Sequence, residues 1–204
     1  MMQMKAKFIA FAIIGFGLFQ VSCSPLTSTE GRASGDVYNG VSESERPRWS
    51  ISDLVYQSLN KGQGHIEISL SNQELVLRDQ LGRVALKSDC STGIDGKETP
   101  TGIFLIKEML VDKRSNLYGR YVSKSTGEIV VERSWEVNGP PPGTRYRGIE
   151  MPYWMRLTSD GVGIHTGDFP RGYRSSFGCI RMPAELQPKL FEKCSSGMKV
   201  EISH

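Results

Sequence analysis

The chain alternates apolar and polar residues with a period of two over much of its length, as β-strands with one buried face do. Ile66, Ile68 and Leu70 begin this pattern, and two similar runs follow turns at 71–72 and 80–82. Further strands are predicted at 102–107, 128–135, 162–165 and 198–202. The pattern therefore predicts a mainly β fold, as a curved β-sandwich or barrel-like sheet.

Two short segments carry apolar residues at helical spacing instead. Residues 51–59 predict one helix, and the run after Pro183 predicts a second at 184–191, restarted or bent by Pro188. The stretch Gly-Pro-Pro-Pro-Gly at 139–143 predicts an irregular loop. We therefore expect one or two short helices beside the sheet.

The first 48 residues differ in composition from the rest of the chain. A basic start and an apolar run at 8–19 predict an export signal over 1–22, because the run is too short to span a bilayer. Residues 23–48 are rich in Ser, Thr, Gly and Glu, which predicts a flexible linker. The globular domain is then expected at 49–204.

Cys23 stands directly after the predicted export signal, in the sequence Val-Ser-Cys-Ser. This arrangement resembles the lipobox of bacterial lipoproteins. The resemblance implies a lipid on Cys23 that anchors an exported protein to a membrane of the cell envelope, in the periplasm. Gln20 occupies the position where that motif usually has Leu, so cleavage and release is the alternative.

The charge pattern argues against nucleic acid as a partner. The 25 basic and 22 acidic residues give a net charge of +3 at pH 7 and are scattered along the chain. Proteins that bind nucleic acid usually concentrate Lys and Arg in a patch or run. We therefore expect no nucleic-acid partner.

A thiol nucleophile requires a base, and the chain contains only three histidines: His65, His165 and His204. His204 is the last residue, and His65 lies in a Gly-flanked turn. His165 ends an apolar strand and is followed by a turn at 166–167, which predicts a ring at a sheet edge. We therefore predict His165 as the base.

The thiol that we predict as nucleophile is Cys179, which follows Gly178. Without a side chain at that position, backbone N–H groups can approach a reacting carbonyl, as an oxyanion hole requires. The run at 180–183 predicts a helix start, whose dipole would lower the pKa of the thiol. Cys90 and Cys194 are left over, either as a disulfide formed after export or as two buried thiols.

The sequence predicts no metal site and no cofactor. It contains neither Cys-x-x-Cys nor His-x-x-x-His, the spacings typical of zinc ligands.

Together, these motifs resemble the L,D-transpeptidase family, also called YkuD-type domains. Ile-His-Thr-Gly at 164–167 and Ser-Phe-Gly-Cys-Ile-Arg-Met at 176–182 are similar to its histidine and cysteine motifs. Thr-Pro-Thr-Gly at 99–102 and Pro-Tyr-Trp-Met at 152–155 resemble two of its earlier segments. The resemblance covers about 64–203 and implies that family's β fold.

The resemblance implies an enzyme that acts on the stem peptides of peptidoglycan, in cell-wall remodelling. Cys179 would attack the carbonyl after the third residue of a stem, release D-Ala and form a thioester. An amine of a second stem would resolve the thioester into a 3→3 cross-link, whereas water would make the protein an L,D-carboxypeptidase. His165 would be the base, oriented by the backbone carbonyl of Thr166.

The same resemblance implies substrate contacts for Ser176, Tyr153, Trp154 and Arg181. The guanidinium fork of Arg181 suits a substrate carboxylate. A structural salt bridge is the alternative for this arginine.

Phe177 departs from the family pattern, which has a histidine there. If that position contributes its backbone N–H, Phe177 can replace histidine, because only proline lacks this donor. If the histidine side chain is essential, the protein is a non-catalytic peptidoglycan-binding domain instead.

Other cysteine enzymes fit the sequence less well. A sortase-like enzyme has its arginine on a later strand, whereas Arg181 is two residues after Cys179. In papain-like and NlpC-like peptidases the cysteine precedes the histidine, which reverses the order found here.

Overall fold

The structure, a computed structural model, describes residues 27–32 and 42–204. The predicted export signal and Cys23 lie outside these residues. Within the described ranges, no helix is long and apolar enough to cross a membrane.

The described chain forms strands joined by tight turns, with two α-helices. The strands are β1 (Ser28–Arg32), β2 (Arg48–Ser52), β3 (Gly64–Ser69), β4 (Glu74–Asp79), β5 (Val84–Asp89), β6 (Gly102–Leu105), β7 (Glu108–Leu110), β8 (Arg114–Ser123), β9 (Ile129–Val131), β10 (Thr144–Glu150), β11 (Trp154–Arg156), β12 (Gly163–Thr166), β13 (Ile180–Met182) and β14 (Lys199–Ser203). The helices are α1 (Asp53–Ser58) and α2 (Gln187–Lys193), with short 3-10 turns at Glu43–Glu45 and Ser134–Glu136.

These strands make three sheets. The main sheet has the order β1-β2-β5-β4-β3-β14-β6, and a smaller one has the order β13-β12-β11-β7. A third sheet, β10-β8-β9, is called the outer sheet below. The prediction of a mainly β fold with short helices is confirmed.

One hydrophobic core joins the main sheet to the smaller one. Ile66, Leu75 and Leu86 from the main sheet belong to the same buried cluster as Ile164 of β12 and Ile180 of β13. Burying one such side chain stabilises the fold by about 1.5–3 kcal/mol. The two strands that carry His165 and the residues after Cys179 are therefore held on the core.

The predicted helix at 51–59 is shorter than expected. Ile51 belongs to β2 and pairs with Leu86 of β5, so the helix begins only at Asp53. Tertiary pairing outweighs local helical spacing here, because it buries Ile51 and satisfies its backbone in the ladder. The predicted strand at 128–135 is likewise shortened to β9.

The predicted helix at 184–191 is displaced toward the C-terminus, to α2. Pro188 lies in its first turn, where the missing N–H has no intrahelical partner to lose. This proline therefore marks where the helix begins and does not bend it.

Part of the predicted linker at 23–48 is structured. Ser28–Arg32 forms β1, which pairs antiparallel with β2 from Ser28↔Ser52 to Arg32↔Arg48. The flexible-linker prediction does not hold for this segment, which extends the edge of the main sheet. The backbone pairing that orders it cannot be read from its polar composition.

Candidate active site

His165 lies on β12, between β13 and β11. Its side chain is only 6% exposed, and the Trp154 ring lies 6.0 Å from the imidazole centroid. The expectation of a ring at a sheet edge was therefore wrong, because the parallel strand β13 pairs with the outer side of β12. The imidazole lines a cavity and is largely shielded from bulk water.

The backbone carbonyl of Thr166 orients the His165 ring. Nδ1 lies 2.7 Å from that carbonyl oxygen, which can only accept, so Nδ1 carries the proton. The other ring nitrogen, Nε2, is left with a lone pair. This is the tautomer that a base needs.

Cys179 immediately precedes β13, whose register places Arg181 opposite His165. Side chains alternate along a strand, so Cys179, two residues before Arg181, points toward the face that carries His165. The expectation of a helix start after the thiol was wrong, because 180–182 form a strand. The helix dipole expected from residues 180–183 is therefore not present beside this thiol.

Burial keeps both groups neutral. It lowers the pKa of His165 to about 4, with the Thr166 carbonyl opposing and the Arg181 charge adding to this effect. It raises the pKa of the Cys179 thiol, against opposing effects of the Gly163 backbone and Arg181. At neutral pH the site therefore holds a thiol and an imidazole, and the thiol donates weakly to the carbonyl of Gly161 at 3.8 Å.

Ser176 holds the loop that carries the thiol. Its hydroxyl donates to the Cys179 carbonyl at 2.6 Å and accepts from the Gly178 N–H at 3.2 Å. The hydroxyl proton is thus used within the loop, and substrate contact by Ser176 stays a prediction. Ser176 is buried at the wall of the cavity.

Gly178 is required for its backbone conformation. Its φ is 109°, a region that L side chains rarely adopt. An added Cβ would have ordinary contacts, the nearest at 3.5 Å from Val162 Cγ2. The positive φ therefore explains this glycine, whereas the expectation from the sequence was a close approach of backbone N–H groups.

Two cavities meet at Cys179, with volumes of about 470 and 340 Å³. His165 and Arg181 line the smaller cavity, whereas Trp154 and Gly178 line the larger one. The residues that line both are Ser115, Tyr118, Met151, Phe177 and Cys179. The thiol is thus accessible from two directions.

Phe177 packs into a cluster of three aromatic rings, called the aromatic cluster below. Its ring centroid lies 5.0 Å from Tyr118 of β8 and 5.8 Å from Trp135. Tyr118 and Trp135 are themselves 5.4 Å apart, edge to face. The cluster ties the cysteine loop to the outer sheet, and sequence reasoning missed both partners because no local pattern links them to residue 177.

Arg181 faces the smaller cavity with no carboxylate partner among the described residues. Its Nη1 donates to Ser175 Oγ at 3.2 Å and to the Asp168 carbonyl at 3.5 Å. The salt-bridge alternative is therefore not what the structure shows. The remaining guanidinium N–H groups are available for an anionic group in the cavity.

The two aromatic residues predicted as substrate contacts have different surroundings. Tyr153 packs on Phe191 of α2 at 5.6 Å and lines neither cavity. Trp154 is 1% exposed, lines the larger cavity and carries the Arg156 guanidinium 5.7 Å from its ring centroid. Trp154 thus supports His165, whereas the geometry gives no support for substrate contact by Tyr153.

Cys90 and Cys194 are free thiols and are both fully buried. Burial raises the pKa of each, that of Cys194 to about 12. They are core side chains, in agreement with the second of the two alternatives. Among the described residues, no group of three or more His, Cys, Asp or Glu could hold a metal ion.

The fold and the site together define a class of protein. It is a mainly β domain in which a buried histidine and a loop cysteine line the same cavity. Residues 63–202 match the L,D-transpeptidase catalytic domain family, YkuD. The chain belongs to this family. No curated protein matches it.

Solved structures show the same fold. An L,D-transpeptidase from Mycobacterium smegmatis is 16% identical with a TM-score of 0.52, over 70% of this chain and 59% of that one. An L,D-transpeptidase from Xylanimonas cellulosilytica is 18% identical with a TM-score of 0.50, over 71% and 62%. LdtMt1, solved in complex with imipenem, is 15% identical with a TM-score of 0.51, over 78% and 68%. The chain thus spans about three fifths of the first two structures' length.

Proposed function

We propose that this protein is a cysteine acyltransferase, an L,D-transpeptidase that acts on peptidoglycan stem peptides with Cys179 as nucleophile and His165 as base. The observation that carries the proposal is that both side chains line one cavity while a second cavity also opens on the thiol. A transfer between two substrates needs both approaches.

In the first step, the thiol turns from the Gly161 carbonyl toward His165. Nε2 takes the thiol proton as sulfur attacks the stem carbonyl, and the carbonyl π electrons move to oxygen. The tetrahedral oxyanion then collapses, the C–N bond breaks and His165 returns the proton to the leaving D-Ala amine. Sulfur and the acyl carbon are left joined as a thioester.

A neutral resting pair suits this step. Because burial disfavours both the thiolate and the imidazolium, the proton moves during the attack, and no ion pair precedes it. The Nδ1 bond to Thr166 stabilises the imidazolium that forms transiently. A neutral amine that enters by the other cavity then attacks the thioester carbonyl, and Nε2 takes its proton. The tetrahedral intermediate collapses with cleavage of the C–S bond, and His165 returns the proton to the Cys179 sulfur.

Arg181 and Arg133 line the smaller cavity and suit the terminal carboxylate of the donor stem. The larger cavity, lined by Glu98, Asp160 and basic side chains, receives the amine acceptor. The carboxylates of Glu98 and Asp160 can accept hydrogen bonds from that amine.

A non-catalytic wall-binding domain is the second candidate, and the observation that favours it is Phe177. In this structure Phe177 is occupied with the aromatic cluster and supplies no titratable group. The two candidates differ in whether Cys179 can be acylated. Imipenem, present in the LdtMt1 complex, is a suitable probe: a covalent adduct on Cys179 supports the enzyme, and its absence supports the binder.

The protein would act in the cell envelope. Export by residues 1–22 and lipid on Cys23 would hold it there on a membrane, close to peptidoglycan. Both features are proposals from the sequence.

The decisive experiment uses the full chain in detergent with purified disaccharide-tetrapeptides. Mass spectrometry should show release of D-Ala and appearance of 3→3 cross-linked dimers, and neither should appear with Cys179→Ala. Trimmed stems without dimers would identify an L,D-carboxypeptidase. No change in the substrate, with binding retained, would overturn the proposed activity.

A further inference from the structure

The Thr99 hydroxyl lies behind the cysteine loop, outside both cavities. Thr99 is 3% exposed, and its Oγ1 donates to the Gly178 carbonyl oxygen at 2.8 Å. The Thr99 hydroxyl oxygen in turn accepts from the Gly93 N–H at 2.9 Å. The Gly178 carbonyl is thereby tied to a fixed point in another segment.

This contact also determines the direction of the next N–H. A trans peptide is planar, and its C=O and N–H point in opposite directions. No cis peptide occurs in the described chain, so the Cys179 N–H points away from Thr99. No described residue accepts a hydrogen bond from this N–H, and Cys179 lines both cavities.

The two preceding N–H groups of the loop differ from each other. The Gly178 N–H donates to Ser176 Oγ, whereas the Phe177 N–H, like that of Cys179, has no acceptor among the described residues. The positive φ of Gly178 permits this loop geometry but does not hold it, because glycine has wide conformational freedom. The hydrogen bond from Thr99 to the Gly178 carbonyl restrains the loop where the glycine alone would not.

We propose that Thr99 is a positioning residue that aims the Cys179 N–H at the oxyanion of the tetrahedral intermediate. This inference rests on the proposed function. An oxyanion donor is effective only when it is already oriented before charge develops, since reorientation would cost part of the stabilisation. Thr99 provides that orientation by donating to the carbonyl oxygen of the Gly178–Cys179 peptide, on the side opposite the Cys179 N–H.

Gly93, whose N–H donates to Thr99, lies in a tightly closed turn. A Cβ on Gly93 would collide with the Lys97 carbonyl, so this turn closes tightly around the threonine. Gly93 also bridges to Ser176 in a short parallel pairing. The hydroxyl is therefore held between two segments that pair with each other.

The experiment compares two reactions of Cys179 in the full chain. Acylation by imipenem passes through a tetrahedral oxyanion, whereas alkylation by iodoacetamide displaces iodide without one. Thr99→Val keeps the shape and removes the hydroxyl, Thr99→Ser keeps the hydroxyl, and Thr101→Val is the matched control at an exposed threonine. Both rates are measured by mass spectrometry, and circular dichroism checks the fold.

In Thr99→Val, we expect acylation to slow by about 10²-fold, the usual effect of one lost oxyanion donor, and alkylation to change by less than about threefold. Thr99→Ser and Thr101→Val should keep both rates near those of the natural protein. If Thr99→Val does not fold, Thr99→Ala is judged by the same ratio of rates.

Equal slowing of both reactions, or unchanged acylation, in a folded variant would overturn the role of Thr99 while leaving the proposed function intact. Failure of the natural protein to be acylated would instead overturn the proposed function, and this inference with it.

Discussion

The imidazole Nδ1 of His165 lies 2.7 Å from the carbonyl oxygen of Thr166, the next residue along the same strand. Because a carbonyl can only accept, this contact selects the tautomer with the proton on Nδ1. It leaves Nε2 as the basic nitrogen in the cavity that Cys179 also lines. The backbone carbonyl of the next residue thus orients the buried histidine.

Loss of either member of the pair should abolish D-Ala release. Cys179→Ala removes the nucleophile and His165→Ala removes the base, and each should reduce the rate by about 10³-fold or more, because the two act as one unit. The double variant should be no slower than the worse single one. The rates are measured on disaccharide-tetrapeptides, and substantial release by Cys179→Ala would contradict the mechanism.

Stability should fall in mild acid because of His165. Its pKa is about 4 in the folded protein and near 6.5 when unfolded, so the unfolded chain binds an extra proton between these values. The contribution of His165 is therefore fully present above pH 6.5 and is lost as pH falls toward 4, by on the order of 3 kcal/mol.

This pH dependence is tested by urea unfolding of the natural protein and of His165→Gln between pH 4 and 7. Other titrating groups are common to both proteins, so the difference in their slopes isolates the histidine. Identical slopes would show that protonation of His165 is not linked to folding.

Phe177 should tolerate histidine but not proline. Neither His nor Phe alters the backbone N–H, so Phe177→His should keep the rate within about tenfold, whereas Phe177→Pro removes the donor and should cost about 10²-fold. Circular dichroism must first show that the proline variant folds. A gain of several orders of magnitude in Phe177→His would mean that the natural protein is impaired, which favours the wall-binding function.

Gly178→Ala should lose activity with a modest loss of stability. The positive φ makes alanine strained by about 1–3 kcal/mol, and relief of that strain would turn the Cys179 peptide. Gly82→Ala is the matched control, with a φ of 78° in the open turn between β4 and β5. Both variants should be destabilised in urea, but only Gly178→Ala should lose acylation by imipenem, and equal activity in the two would contradict this role.

Cys23 should carry a lipid. Growth with a labelled fatty acid should label the natural protein and leave Cys23→Ala unlabelled, because lipidation requires that thiol. The absence of label in both would indicate cleavage and release instead.

Local sequence was sufficient for about half of the described strands and for the choice of candidate site residues. Alternation at Ile66 and Ile68 identifies β3, because a strand with one buried face imposes a period of two. The Gly178-Cys179 pair and His165 could be selected because few residue types act as nucleophile, oxyanion support or base.

Only the tertiary structure decided the environments of these residues. Pairing of β12 with β13 buries His165 and replaces the expected helix after Cys179 with a strand. The aromatic cluster joins Phe177 to rings that are distant in the sequence. Thr99 likewise donates a hydrogen bond to Gly178, which is 79 residues away in the sequence. The spacing of apolar residues and the sequence motifs depend on one segment at a time. Burial, hydrogen-bond partners and pKa values depend on segments that come into contact only when the chain folds.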